Sequence, residues 1–283
     1  MGFQSLKILF MILSDYHCHS SNSGDCDEKM QTQIEAAINK GLKYLCITEH
    51  NDFDYPDPLP AHIDEACSFL LDADTYYKEY IKMRDAYSKK DFNLRFGVEL
   101  GMQKQVTADN KSFVKKYPFD FVIASTHVLY HEDPYYGEFW DGREESKIVR
   151  DYFEDIYKNI CLFTDFDVYG HLDYIVRYGK NKAYNFSDYS DIIDEILRKL
   201  VDMGKGIEIN TCGLRNKLKY PNPAPEVLTR YRELGGEIIT VGSDAHCHEH
   251  VAWNFDVAEK LLKDSDFKYY TVFKERKPEF IRL

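Results

Sequence analysis

No CxxC pair occurs in this chain of 283 residues, and its seven cysteines are an odd number in a sequence too long to need covalent staples. That reads as reduced thiols in a cytoplasmic protein. No GxSxG, HCxxGxxR or P-loop pattern is present, which argues against a serine or cysteine nucleophile and against nucleotide-driven chemistry. Long apolar runs are missing too. The N-terminal stretch "LKILFMIL" covers about eight residues, too few to span a bilayer. It has one lysine and no small-residue cleavage site, so a buried strand fits it better than a signal peptide. Positive charge is scarce: 36 Lys and Arg against 48 Asp and Glu leave a net charge of −12. Such a surface disfavours broad contact with nucleic acid or an anionic membrane, although one pocket can still carry the opposite sign.

What is present is enough for a core. The hydrophobic fraction is 44%, and there is no internal repeat or low-complexity tract. Short apolar runs at 7–15, 44–48, 94–100, 119–125, 166–172, 205–211 and 237–243 read as strands. Amphipathic stretches at 28–40, 75–91, 109–116, 145–162, 188–203, 224–234 and 253–263 read as helices. In "SDIIDEILRKLVDMG", Ile192, Ile193, Ile196, Leu197 and Leu200 fall on one helical face, and Gly204 stands just past the end. Strands alternating with helices imply a parallel sheet, and nothing marks a boundary within the chain. The expectation is an α/β protein, a distorted (β/α)7 TIM-like barrel forming a single domain over residues 1–283. The 15% aromatic content is read mostly as core and helix-face packing, not as a base-stacking platform.

In such a barrel, function sits at the carboxyl ends of the strands. The residues there are His17 and His19; Glu49, His50 and Asp52; Glu99; His127 and His131; His171 and Asp173; Asn210, followed by Arg215; and Asp244, His246, His248 and His250. Nine of the ten histidines follow a strand, with only His62 elsewhere. In an extended segment residues i and i+2 face the same side. His17 and His19 can therefore address one cation while Cys18 turns away. An HxH joined by the DxH of "SDAH" and by imidazoles and carboxylates at other strand ends points to a metal site. Cys18, Cys26, Cys46 and Cys247 lie near these residues and are read as small buried hydrophobes.

"DYHCHS", "ITEHND", "GVELG", "ASTHV", "YGHLDY" and "GSDAH" resemble, in order, the motifs of the polymerase and histidinol phosphatase (PHP) superfamily. "GVELGMQ", the insert at 52–80 and "DYIVRYG" resemble its monofunctional histidinol-phosphate phosphatase subgroup. The resemblance implies a distorted barrel with two or three divalent ions. His17, His19, Glu99 and Asp244 would hold the first. Glu99 would bridge to a second, completed by His127 and His171. A third would take His50, His246 and Asp25, which stands six positions after His19, where some members carry histidine. The alternative for Asp25 is a helix cap ahead of 28–40. Asp15 is expected to fix a histidine tautomer.

Mixed nitrogen and oxygen ligands suit Zn, Fe or Mn. Three dications against three carboxylates leave a positive centre that matches a phosphate dianion. The resemblance thus implies a small phosphorylated substrate, L-histidinol phosphate, hydrolysed to L-histidinol and phosphate, with Glu99, Asp244 and His246 in the catalytic set. Either Asp244 or a nearby histidine is the candidate proton donor to the leaving group. Arg177 and Arg215 are candidate phosphate clamps, and His248 a candidate substrate contact. Other readings are a PHP enzyme for another small ester or for nucleic-acid 3′ ends, and a non-catalytic metal-binding module. No nucleic-acid or membrane partner is expected, and the oligomeric state is not legible.

Overall fold

The computed structural model describes residues 12–58, 61–62 and 67–283. Seven parallel strands lie side by side in chain order: β1 (Ser14–Asp15), β2 (Tyr44–Asn51), β3 (Asn93–Gly101), β4 (Phe121–Ser125), β5 (Val168–Tyr169), β6 (Gly206–Asn210) and β7 (Ile239–Gly242). They match the seven runs expected from sequence; residues 7–11 of the first run lie outside the described residues. The strands are buried almost throughout. A parallel sheet covered on both faces demands this, and it is why the runs are nearly continuous apolar segments.

The connecting helices are α1 (Met30–Asn39), α2 (Ala73–Tyr87), α3 (Thr107–Lys116), α4 (Glu145–Leu162), α5 (Ser190–Asp202), the single turn α6 (Cys212–Arg215), α7 (Pro225–Glu233) and α8 (Phe255–Asp264). On α5 the five aliphatic residues of the expected face are all buried, each contributing roughly 1.5–3 kcal/mol of burial. α7 starts at Pro225, where a missing N–H costs nothing. No helix among the described residues is long and apolar enough to cross a membrane.

The sheet closes into a nearly complete barrel through the segments that follow β1 and β7. The Tyr16 amide donates to Val241 O at 3.0 Å, the Asp244 amide to His17 O at 2.7 Å, and the His19 amide to Ala245 O at 2.9 Å. Cys18 and Ala245 form a parallel bridge between them. Asp15 reinforces the seam. Its carboxylate accepts from the Ser243 amide at 2.9 Å, the Ser243 hydroxyl at 2.5 Å and the Ala252 amide at 2.9 Å. This corrects the expectation for Asp15: it braces backbone and touches no imidazole nitrogen.

A hairpin of β8 (Tyr269–Lys274) and β9 (Lys277–Arg282) was not anticipated. It covers the amino ends of the barrel strands. The Tyr16 hydroxyl donates to Phe273 O at 2.8 Å, and the Ile239 amide donates to Thr271 Oγ1 at 3.1 Å. Arg276, in the hairpin turn, donates to Asp167, the residue before β5. The opposite end of the barrel is left for chemistry.

Candidate metal centre

Glu99, near the end of β3, is the hub. It is fully buried, and its two oxygens serve different neighbours. Oε2 lies 3.0 Å from His17 Nε2, 3.6 Å from His19 Nε2 and 3.1 Å from His50 Nδ1. Oε1 lies 2.9 Å from His171 Nε2 and 3.1 Å from His127 Nε2, and accepts from Ser125 Oγ at 2.6 Å. Asp244 Oδ1 stands 3.8 Å from His17 Nε2 and 3.5 Å from His19 Nε2. Asp25 Oδ2 stands 3.1 Å from His246 Nε2 and 3.6 Å from His50 Nε2. The nine residues expected to hold metal thus meet at the carboxyl end of the barrel. Asp25 caps nothing: α1 begins after Lys29 with no side-chain cap.

The local chain explains this convergence. Residues 17 and 19 flank Cys18, whose thiol turns to Ala245 O at 3.7 Å, so both imidazoles fall on the inner side. Asp244 adopts a left-handed φ of 54°, a costly conformation for a residue with a side chain and a common one at functional sites. Two residues earlier, a Cβ at Gly242 would come within 2.3 Å of both Glu208 Oε1 and His17 Cβ. Only glycine lets β7 approach the cluster this closely.

Carboxylates behind the histidines set which nitrogen faces inward. His17 Nδ1 lies 2.7 Å from Glu208 Oε1, and His127 Nδ1 lies 2.7 Å from Asp52 Oδ1. A proton on each Nδ1 satisfies these contacts and leaves the Nε2 lone pair aimed at Glu99. Glu208 Oε2 also accepts from the His171 amide at 3.0 Å and from Asn210 Nδ2 at 3.1 Å. Glu208 escaped the sequence reading, as did this role for Asp52. The available signal was an acid two residues before strand-end Asn210, and hence on its face.

The electrostatics call for cations. For His17, burial disfavours the charged form, yet Glu208, Glu99 and Asp244 outweigh it and hold the pKa well above the ordinary value. His127 behaves likewise between Asp52 and Glu99. Burial would raise Glu99 and Asp244, but the surrounding histidines, with Arg177 for Asp244, pull both well below the carboxylate range. For His19 the balance reverses: burial, with His50 and His246, outweighs Asp244 and depresses it to about 3. The buried carboxylates thus favour positive charge at this place. Moreover, His19 Nε2, His50 Nδ1 and His246 Nε2 are buried and make no hydrogen bond. Around a tetrahedral zinc ion bonded at about 2.1 Å, neighbouring ligand atoms stand about 3.4 Å apart. The four contacts between His17, His19, Glu99 and Asp244 run from 3.0 to 3.8 Å. The donor set therefore fits divalent ions.

The cluster opens into a cavity of about 450 Å³. His50, His127, His171, His246, Asp25 and Asp244 line one part of it, with Arg177, Cys212 and Asn216 nearby. Tyr55, Phe69, Tyr135, Tyr136, Tyr174 and Tyr178 form an aromatic lining that the sequence reading had not singled out.

The three proposed substrate contacts fare differently. Arg177 lines the cavity but is only 3% exposed and already engaged. It donates to Asn222 Oδ1 at 2.7 Å, Asp244 Oδ2 at 3.1 Å and Asn210 Oδ1 at 2.9 Å. It ends a 3₁₀ turn, Tyr174–Arg177. Arg215, at the end of α6, donates to the backbone oxygen of Asp244 at 2.6 Å and lies 5.7 Å from the Trp253 ring centre, bracing the ligand loop. His248 is a correction. Its Nδ1 lies 2.7 Å from Glu28 Oε2 at the exposed surface, because the 3₁₀ turn His248–His250 carries it outward. Two of the cysteines near the ligands have other partners: Cys26 donates to His246 O at 3.2 Å, and Cys247 lies 3.2 Å from His250 Nδ1.

A parallel barrel gathering imidazoles and carboxylates at the carboxyl ends of its strands defines a protein of the polynuclear metal-site class. The PHP domain family model matches residues 15–212, and the chain belongs to that family. It is 35% identical to a probable histidinol-phosphatase of Clostridium acetobutylicum, over 90% of this chain and 94% of that one. It is 31% identical to the histidinol-phosphatase of Lactococcus lactis, over 92% and 93% of the two chains. The crystal structure of histidinol phosphate phosphatase from L. lactis, complexed with zinc, L-histidinol and phosphate, superposes with a TM-score of 0.84 at 29% identity, covering 95% of this chain and 99% of that one.

Proposed function

We propose that this protein is a metal-dependent phosphomonoesterase, working as a single barrel domain, that hydrolyses L-histidinol phosphate to L-histidinol and phosphate. One observation carries the reading: a donor cluster split by the two oxygens of Glu99 opens directly into an aromatic-lined cavity of about 450 Å³, within the usual range for small-ligand sites. The L. lactis relative, solved with L-histidinol and phosphate, supports the same substrate.

In this reading His17, His19, Glu99 and Asp244 hold one divalent ion; Glu99, His127 and His171 a second; and Asp25, His50 and His246 a third, with Zn, Fe or Mn suited to the donors. Such ions supply Lewis-acid polarisation of the phosphoryl group and neutralise its charge. The protein supplies the rest. Glu208 and Asp52 keep the Nε2 atoms of His17 and His127 free of protons. Arg177 and Asn210 hold Asp244 Oδ2, so that Oδ1 points at the histidines. Asp244 is thereby fixed in the ionised form and is a poor proton donor. His246 Nδ1 lies 3.2 Å from Asp244 O, so a proton there leaves Nε2 as a ligand atom. Both residues belong to the catalytic set as ligands. Arg177 has N–H groups beyond its three protein bonds and presents them, with its charge, to a phosphate in the cavity.

The test is phosphate release from a panel of small phosphomonoesters and from single-stranded DNA, with Zn, Mn or Fe supplied. The reading requires the highest kcat/KM on L-histidinol phosphate. Activity confined to DNA, or to an unrelated ester, would sink it.

A further inference from the structure

We propose, resting on that hydrolytic reading, that Asp173 is a positioning residue: acting through Asn222, it fixes the Arg177 guanidinium so that the unused N–H groups are kept for the phosphate. Asp173 stands two residues after His171 at the carboxyl end of the barrel, yet among the described residues it pairs with no histidine of the donor cluster. It is fully buried. Its carboxylate meets two other donors: Oδ1 accepts from Asn222 Nδ2 at 2.5 Å, and Oδ2 accepts from the Ala224 amide at 2.9 Å.

Asn222 is fully buried as well, and its Oδ1 accepts from Arg177 Nε at 2.7 Å. An arginine only donates, so the Asn222 amide must turn its oxygen to Arg177 and its nitrogen to Asp173. A carboxylate, which accepts at both ends, permits that direction. The chain around Asn222 is held firmly. Its backbone N–H donates to Asn210 O at 2.9 Å, and its carbonyl accepts from the Asn210 amide at 2.7 Å. A Cβ at Gly213 would come within 2.6 Å of Asn222 Oδ1, so α6 packs closely against the side chain. The freedom left to Asn222 is to turn its amide over.

The three bonds of Arg177 take one N–H from each of its nitrogens. Two of five donors remain, one on each terminal nitrogen. Pinning Nε sets the rotation of the planar group on its stem, and with it the aim of the remaining pair. An amide at position 173 would reverse the direction. Its oxygen would be claimed by the Ala224 amide, and its nitrogen would face Asn222. Asn222 would then turn its own nitrogen to Arg177 Nε, donor against donor. Exchanging the two side chains, with an amide at 173 and a carboxylate at 222, restores an acceptor for Arg177.

The experiment uses the metal-loaded protein and measures kcat/KM on L-histidinol phosphate, with the Kd for inorganic phosphate by calorimetry. Asp173→Asn should lower kcat/KM roughly 10- to 100-fold and weaken phosphate binding with it, as expected for loss of a charge-assisted contact. The exchanged variant, Asp173→Asn with Asn222→Asp, should recover most of both. Beside Arg177→Ala, Asp173→Asn should change either quantity by about twofold or less, because the residue it acts through is gone. A purely structural role would show neither the recovery nor the dependence on Arg177. If circular dichroism shows Asp173→Asn to be unfolded, Asn222→Ala takes its place beside Arg177→Ala, with the same expectation. Wild-type values in the single variant, an exchange that recovers nothing, or an equal loss with and without Arg177 overturns the proposal. Failure of the hydrolytic reading looks different: the wild type then leaves L-histidinol phosphate uncleaved, and the phosphate Kd values of the same set decide for or against Asp173. A wild type that binds no phosphate overturns the proposal outright.

Discussion

Replacing Glu208 by glutamine tests how the cluster is tuned without touching a proposed ligand. Glu208 is 1% exposed, and its two oxygens accept from His17 Nδ1 at 2.7 Å and from the His171 amide at 3.0 Å. Glutamine keeps the shape but offers one oxygen and one amide nitrogen. Whichever way the amide turns, one of the two donors meets another donor. If His17 is the loser, its Nδ1 proton is no longer held, the Nε2 tautomer becomes competitive, and the lone pair facing Glu99 and Asp244 is lost for part of the time. A hydrogen bond to a charged group is worth about 1.5–3 kcal/mol, and at about 1.4 kcal/mol per decade this is roughly a 10- to 100-fold weakening. Outer carboxylates on metal-binding histidines have effects of this size elsewhere. Competition against a chromophoric chelator reads the zinc affinity directly. Thermal unfolding of the metal-free protein reports separately whether the fold survives. A Glu208→Gln protein that folds and binds zinc as tightly as wild type would refute the reasoning.

Other outcomes follow from the same geometry. Glu99→Ala should do the most damage, since both oxygens lose their partners together; elemental analysis should show metal content falling from two or three equivalents to about one or less. Asp25→His should retain activity and Asp25→Ser should lose it, because α1 takes no cap from Asp25; equal activity in the two variants would contradict its role as a ligand. Arg177→Ala should cost more kcat/KM than Arg215→Ala, since Arg177 makes three side-chain bonds inside the cavity wall and Arg215 makes one to a backbone oxygen; steady-state kinetics that reverse the order would remove Arg177 from the phosphate site. Gly242→Ala forces a methyl to within 2.3 Å of His17 Cβ and should cost about 1–3 kcal/mol of stability, measurable by denaturant unfolding.

The barrel was legible because its strands are buried on both faces and stand out as apolar runs between amphipathic helices. The donor residues were legible because the chemistry sits where each run stops. The hairpin β8–β9 was not. Pro278 and four other exposed positions of β9 weaken its strand pattern. Its turn uses Glu275 and Arg276 at φ 50° and 63° in place of the usual Asn-Gly. Glu208 was hidden for the opposite reason, as a single acid within the buried run "GIEIN" whose partner, His17, lies 191 residues away. Arg177 was read as a free clamp because sequence cannot show that Asn210, Asn222 and Asp244 converge on it. His248 was misplaced by its nearness to His246 in the chain: two residues later, the 3₁₀ turn has already swung the backbone out of the cavity.

The central claim is that divalent ions held by the Glu99 cluster are required to cleave a phosphate monoester. It is tested most directly by following phosphate release from L-histidinol phosphate before chelation, after exhaustive chelation, and after zinc or manganese is restored, with the bound metal counted in each state. The account predicts hydrolysis that disappears with the metal and returns as more than one equivalent is rebound. Hydrolysis that persists in protein shown to be free of metal would contradict it.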